Sequence, residues 1–275
     1  MAIKPEKNTL NLQKNCVTWL CPYAFLRCST IFYEFFHHFF QIDNRIMANI
    51  LNIETSTDVC SVALTCDGEV LEHHENYEGQ NHAQVLSTFI ESVMKYATSR
   101  EIKLDAVAVS LGPGSYTGLR IGLSEAKGLC FGLNVPLIGI NTLKLLTVEV
   151  MFRHFFEEEI YFAPMIDARR KEVYTAVYDN ALREVMPAQP LILDENSYAE
   201  FLATHKVAFF GNGSDKARDI ISHQNAIFFE GVKPVALTML ALAEKAVREN
   251  DYIDVAYSTP LYLKEYQTTV PKSKI

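Results

Sequence analysis

Apolar and polar positions change their period several times along the chain, and each change predicts an element. Residues 50–54 and 59–65 are short, mostly apolar runs with the length of strands. Asp67-Gly68 then supplies a tight hairpin turn into a third run at 69–77. From residue 84 to 97 the period becomes helical, with Val85, Leu86, Phe89, Ile90, Val93, Met94 and Ala97 at three- and four-residue steps. A buried-type strand at 104–110, a glycine-rich turn, a helix to residue 132, a strand at 135–140 and a helix at 143–156 follow. A similar alternation restarts at Tyr161, with strands at 161–166 and 172–178, a short helix at 197–204, a strand at 207–210 and an amphipathic helix at 235–250. Strands alternating with helices in two successive runs predict two α/β lobes, each a mixed sheet with helices. The first lobe is expected over 47–157 and the second over 158–275, with the last helix able to pack back on either one.

Residues 1–46 follow a different pattern. Nine aromatic side chains crowd the stretch from Cys16 to Phe40, yet Arg27, Glu34, His37 and His38 interrupt it. A membrane span needs about 20 mostly uncharged residues, and a signal peptide has a basic start and a small-residue cleavage site. The segment fits neither. The clean pattern that opens at Met47 suggests that translation begins there and that residues 1–46 are a mis-called or disordered extension; an extension that docks on a partner is the alternative.

Composition narrows the function. Nearly half of the 275 residues are apolar and 21% are charged, as in ordinary globular proteins. The formal net charge is −8, and without residues 1–46 it is −10. Such a surface repels phosphate, so the chain alone is expected to bind nucleic acid poorly. The six cysteines form no C-x-x-C pair and read as reduced thiols of a cytoplasmic protein.

Candidate chemistry concentrates in Ser110-Leu111-Gly112-Pro113-Gly114-Ser115-Tyr116-Thr117-Gly118-Leu119-Arg120-Ile121-Gly122, between a strand and a helix. Gly112, Gly114 and Ser115 can turn the backbone so that N–H groups at the helix start cradle an anion, or can simply form a tight turn. Gly118, Gly122 and Ala126 share one face of the helix at four-residue spacing. Each helical glycine costs about 1 kcal/mol relative to alanine, which calls for a close neighbour, internal or from another subunit. With Val85, Phe89 and Val93 of the preceding helix they form a candidate partner interface, or they cover the lobe's own sheet. Thr55, Ser56 and Thr57 form a hydroxyl-rich turn after the first strand; Asp167, Arg169 and Arg170 form the matching turn of the second lobe. The two arginines suit a phosphate or carboxylate, or a solvated turn. The run Gly211–Lys216 lacks the third glycine of a dinucleotide fingerprint, and Pro113 stands where a G-x-S-x-G elbow at Ser115 needs glycine.

Four blocks in order carry a resemblance: Ile53-Glu54-Thr55-Ser56-Thr57 with Ser61-Val62-Ala63-Leu64, the glycine-rich run, Gly139-Ile140-Asn141-Thr142-Leu143, and Ile166-Asp167-Ala168-Arg169-Arg170 with Glu172-Val173-Tyr174. Together they resemble the TsaB family. The resemblance implies the two-lobed fold of actin, hexokinase and Hsp70, with a degenerate second-lobe nucleotide site. It implies a non-catalytic subunit that activates a TsaD-type enzyme, which moves threonylcarbamoyl from threonylcarbamoyl-AMP to a tRNA adenosine. A TsaE-type ATPase is the further implied partner, with tRNA reached only through the complex and a homodimer as another assembly. Where TsaD carries an H-x-x-x-H metal pair, this chain has Thr142 and Leu146, so no metal and no catalytic residue are expected. The second-lobe turn lacks glycine, so no nucleotide is expected to bind strongly to the chain alone, with ATP or ADP reserved for a complex interface. An active small-molecule kinase or ATPase of the same fold is the alternative.

Overall fold

The computed structural model describes residues 48–79 and 81–264. The expectations for residues 1–46 and a start at Met47 fall outside the described residues. Ten strands form two five-stranded sheets. The first sheet contains β1 (Asn49–Glu54), β2 (Cys60–Cys66), β3 (Glu69–Asn76), β4 (Ala106–Gly112) and β5 (Leu137–Asn141), in the order β3-β2-β1-β4-β5. β1 pairs antiparallel with β2 and parallel with β4. The second contains β6 (Ile160–Asp167), β7 (Glu172–Tyr178), β8 (Glu184–Ile192), β9 (Lys206–Phe210) and β10 (Ala226–Phe228), in the order β10-β9-β6-β7-β8. β6 pairs antiparallel with β7 and parallel with β9, so the second sheet repeats the first strand for strand. This duplicated arrangement gives the two mixed α/β lobes that the periodicity predicts, in the two-lobed form that the resemblance implies.

Helices α1 (His82–Ser99) and α2 (Tyr116–Leu133) cover one face of the first sheet. Their buried Leu86, Ile90, Val93, Leu123, Ala126 and Cys130 pack with Leu51, Ile53, Val62, Val107 and Val109. The alternate strand residues Ile50, Ala106, Ala108, Ile138 and Ile140 point to the other face. There they meet Met239 of a 3-10 turn (Ala236–Met239) and Ala243 and Ala246 of the last helix. The predicted 235–250 helix is thus a 3-10 turn followed by an α-helix, and it packs on the first lobe.

Helix α3 (Thr142–Arg153) joins the lobes. The Asn141 side chain caps it, accepting from the N–H groups of Leu143 and Lys144 at 2.8 and 3.2 Å. Leu143, Leu146 and Val150 enter the second-lobe core with Phe162, Ala176 and Phe210, while Leu145 faces the first lobe. On the far side of the second sheet, α4 (Ala199–Leu202) and α5 (Ser214–Arg218) are barely one turn each. The last helix among the described residues is α6 (Leu240–Glu249).

Two strands escape the sequence pattern. β8 is a half-exposed edge strand containing Pro187 and Pro190, and proline is tolerated only where a strand's N–H groups need no partner. β10 has three residues, too few to establish a period.

Candidate functional site

The lobes enclose an open cleft of about 1940 Å³. The first-lobe turn, the Pro113–Ser115 turn, residues 166–170 and the tail residues 261–264 all line it. The structure therefore gathers Ser56, Thr57, Gly114, Ser115, Asp167, Arg169 and Arg170 of the predicted turns in one place, while Thr55 and Gly112 lie outside the lining.

The first-lobe turn begins where β1 runs into the interior. Glu54 is fully buried, its Oε1 accepts the N–H of Ser56 at 2.5 Å, and burial pushes its carboxyl up to about 7. Thr55 and Ser56 are also fully buried. The Thr55 hydroxyl donates to Gly118 O at 2.8 Å, and Ser56 O accepts the N–H of Ser115 at 2.6 Å. These two residues clamp the glycine-rich turn against the end of β1. Only Thr57 and Asp58 of this turn reach outward, and Lys233 donates to Asp58 at 2.6 Å.

This clamp explains the glycines. A Cβ on Gly114 would collide with Ser56 O, one on Gly118 with Thr55 O, and one on Gly122 with the Thr55 hydroxyl. Gly112, at φ +111°, adopts a backbone conformation that side chains rarely allow, and a Cβ there would also press on Leu261 O at 3.0 Å. The close approach the glycines serve is internal. Ser115 caps α2, its hydroxyl oxygen accepting the N–H of Gly118 at 3.2 Å. The interface assigned to Gly118, Gly122, Ala126 and Val93 is corrected accordingly: all four are buried inside the first lobe. Val85 and Phe89 are half-buried and pack against the same core. The outward positions of these helices are different residues, among them Ala83, Ser87, Ser124, Gly128 and Gly132.

The second-lobe turn has opposite character. Asp167 Oδ1 accepts the N–H of Arg169 and the ammonium of Lys216, both at 2.5 Å, while its own N–H donates to Asn212 at 2.9 Å. Arg169 and Arg170 both have positive φ, 71° and 55°, and both side chains are exposed. Neither guanidinium joins an ion pair among the described residues. Gly211 abuts Met165 O and Gly213 abuts β6, so these glycines serve close packing on the strand.

Lys216 is the residue that the sequence reading passed over. It lay within a run examined only for a dinucleotide pattern, and nothing in its neighbours signals a partner 49 positions away. Lys233, Tyr262 and Lys264 were missed for the same reason. At the positions of a metal pair, Thr142 is fully buried and Leu146 is 1% exposed inside the second-lobe core. An alkyl side chain there offers no lone pair to a metal. Among the described residues, no three His, Cys, Asp or Glu side chains gather where they could share an ion.

The comparisons with known proteins agree with this geometry. Residues 69–270 match the family model described as "TsaD: tRNA N6-adenosine threonylcarbamoyltransferase". The chain is 30% identical over 222 residues to the tRNA threonylcarbamoyladenosine biosynthesis protein TsaB of Escherichia coli, covering 78% of this chain and 94% of that protein. It is 33% identical over 147 residues to the TsaB of Bacillus subtilis, covering 52% and 62%. The crystal structure of YeaZ from Pseudomonas aeruginosa superposes with a TM-score of 0.68 at 26% identity, covering 79% of this chain and all of that one. With a relative 30% identical and matched along 94% of its length, and with the same fold in a solved YeaZ structure, the chain belongs to the TsaB family.

Proposed function

We propose that the chain is a non-catalytic subunit in tRNA threonylcarbamoyladenosine biosynthesis, one that binds and activates a TsaD-type transferase. The names of its relatives support the pathway. The cleft supports the non-catalytic half of the reading. Lys216 already neutralises Asp167, and α3 turns a leucine toward the core where a ligand would be needed. A kinase or ATPase would instead need a second-lobe turn with glycine and an Asp167 free to face a nucleotide's phosphates and metal.

The observation that carries the binding half is the outer surface of α1 and α2. The helices lie side by side, joined by the Ser87 hydroxyl donating to Glu125 at 3.0 Å. Gly128 and Gly132 face open space, with no atom of the described residues within 4 Å of where a side chain would begin. An unexplained glycine in a helix costs about 1 kcal/mol relative to alanine. Small outward residues let a second helical layer approach closely. We assign this outer surface to the TsaD-type partner; a second copy of this chain is the competing occupant. A TsaE-type ATPase would join the same complex, with ATP or ADP at a boundary between chains and Arg169 and Arg170 offered to its phosphates. The net charge of −8 supports contact with tRNA only through a partner. No helix among the described residues is long and apolar enough to cross a membrane, and a tRNA-modifying subunit belongs in the cytoplasm.

The test is co-purification with the TsaD-type protein from the same cell. Wild-type chain should retain the partner. Gly128→Arg, which meets no atom of the described residues in the free protein, should lose it without a fall in the thermal midpoint. Retention of the partner by a folded Gly128→Arg chain would overturn the assignment of this surface.

A further inference from the structure

The described residues that follow α6 pass from one lobe to the other. Lys127 of α2 holds the earlier part of this tail by donating to Ala256 O and Ser258 O at 3.0 and 2.7 Å, and Leu261 and Tyr262 fasten it further on. The N–H of Leu261 donates to Leu111 O at 2.7 Å. Tyr262 packs against Tyr116 with ring centroids 5.2 Å apart. The Tyr262 hydroxyl accepts from Arg120 Nε at 2.9 Å, while the same guanidinium lies 4.0 Å from the Tyr116 ring centre. Gly112 contributes by lacking a side chain, which lets the backbone of Leu261 approach. Two residues further on, Lys264 crosses to the second lobe, where its ammonium reaches both carboxylate oxygens of Glu172 at 2.8 and 3.1 Å. Glu172 is the first residue of β7, directly after the Asp167–Lys171 turn.

We propose that residues 261–264 form a strap that holds the two lobes together across the cleft, and that opening the cleft requires its release. The inference rests on this geometry and is independent of the partner assigned above. Apart from the strap, the cleft margins are joined by Lys233, which donates to Asp58. Val232 beside it is buried in the second-lobe core, so this contact also ties one lobe to the other. Both ties are ion pairs with partly exposed side chains. Such pairs are weak and salt-sensitive, so a strap built from them is suited to release. The aromatic stack of Tyr262 on Tyr116, with Arg120 against it, gives the tail a fixed seat on the first lobe from which Lys264 can reach. A ligand or partner that approaches Arg169 and Arg170 meets this segment, because it lines the same cleft.

The experiment measures the distance between the lobes in the full chain. Fluorophores on non-natural residues replace Ser99 at the end of α1 and Glu195 in the second lobe, both exposed. Lys264→Glu and Glu172→Lys, each placing like charges at the strap, should shift the distance distribution to longer values. The combined charge swap should restore the wild-type distribution, which a general disturbance of the fold would not do. Tyr262→Ala, which unseats the strap without altering the ion pair, should also lengthen it, and 1 M salt should move wild type in the same direction. Single charge-reversed variants or a folded Tyr262→Ala chain with the wild-type distribution would overturn the proposal. So would a swap that fails to restore it.

Discussion

The two lobes share one strand order and differ in nearly everything built upon it. Between β3 and β4, and again between β4 and β5, the first lobe inserts helices of 18 residues. At the corresponding places the second lobe has helices of four and five residues. A sheet face that loses its helices must still exclude water, and the second lobe does so with rings. Tyr198 and Phe209 meet edge to face at 5.1 Å, Phe209 and Phe228 stack at 5.2 Å, and Tyr161 and Phe201 meet at 5.7 Å. Aromatic side chains bury the most area per residue, so few of them replace a helical layer. The first-lobe core under α1 and α2 is instead almost wholly aliphatic. The long helices thus do more than cover a sheet that rings could cover; they present an outer surface.

Truncating the ring at the centre of that aromatic cluster is the sharpest way to break the comparison. Phe209→Ala should cost about 3–5 kcal/mol, the usual range for a fully buried phenylalanine, read by denaturant unfolding. A loss under about 1 kcal/mol would mean that the rings are not what closes the second lobe. Gly122→Leu should cost somewhat less, about 3 kcal/mol at the upper end of overpacking, because a side chain there collides with Thr55. Its thermal midpoint should fall whether or not a partner is present. An unchanged midpoint would return this face of α2 to the list of intermolecular surfaces.

Which face of α2 packs on its own lobe and which is left outward was the part of the fold least legible from sequence. Periodicity located α1, α2 and the strands of the first lobe within a few residues, since each alternates cleanly between two buried faces. It also marked Gly118, Gly122 and Ala126 as a stripe that demands a close neighbour. It could not say which neighbour, because the Thr55 that Gly118 and Gly122 meet lies more than 60 positions earlier. The cleft was legible as two turns, Thr55–Thr57 and Asp167–Arg170. What neutralises Asp167 was not, since the Lys216 contact exists only once β6 and β9 pair. Edge strand β8 was hidden by its prolines and its half-exposed pattern.

Smaller effects refine the contrast between the buried first turn and the open second one. The Glu54 carboxyl is pushed from its ordinary value of 4.5 up to about 7, because burial disfavours its charge. The folded state therefore holds a proton that the unfolded chain releases. Stability should fall as pH rises from about 4.5 to about 7, by about 1.4 kcal/mol per pH unit at most. Glu54→Gln should flatten that part of the stability profile; the same slope in wild type and variant would place its source elsewhere. Gly128→Ala is the mildest change. It should stabilise the free chain by about 1 kcal/mol, since no atom of the described residues lies within 4 Å of that position. Destabilisation there would reveal an internal contact and remove the reason to assign the surface to a partner.

The central claim is that the chain acts through a partner and not by its own chemistry, and reconstituted transfer tests it most directly. Purified chain, a TsaD-type protein, tRNA and threonylcarbamoyl-AMP are combined singly and together, and modified adenosine is counted by mass spectrometry. The account predicts no product from this chain alone, product when both proteins are present, and loss of that product with Gly128→Arg. Turnover by this chain without the TsaD-type protein, or equal turnover by the TsaD-type protein with and without this chain, would contradict it.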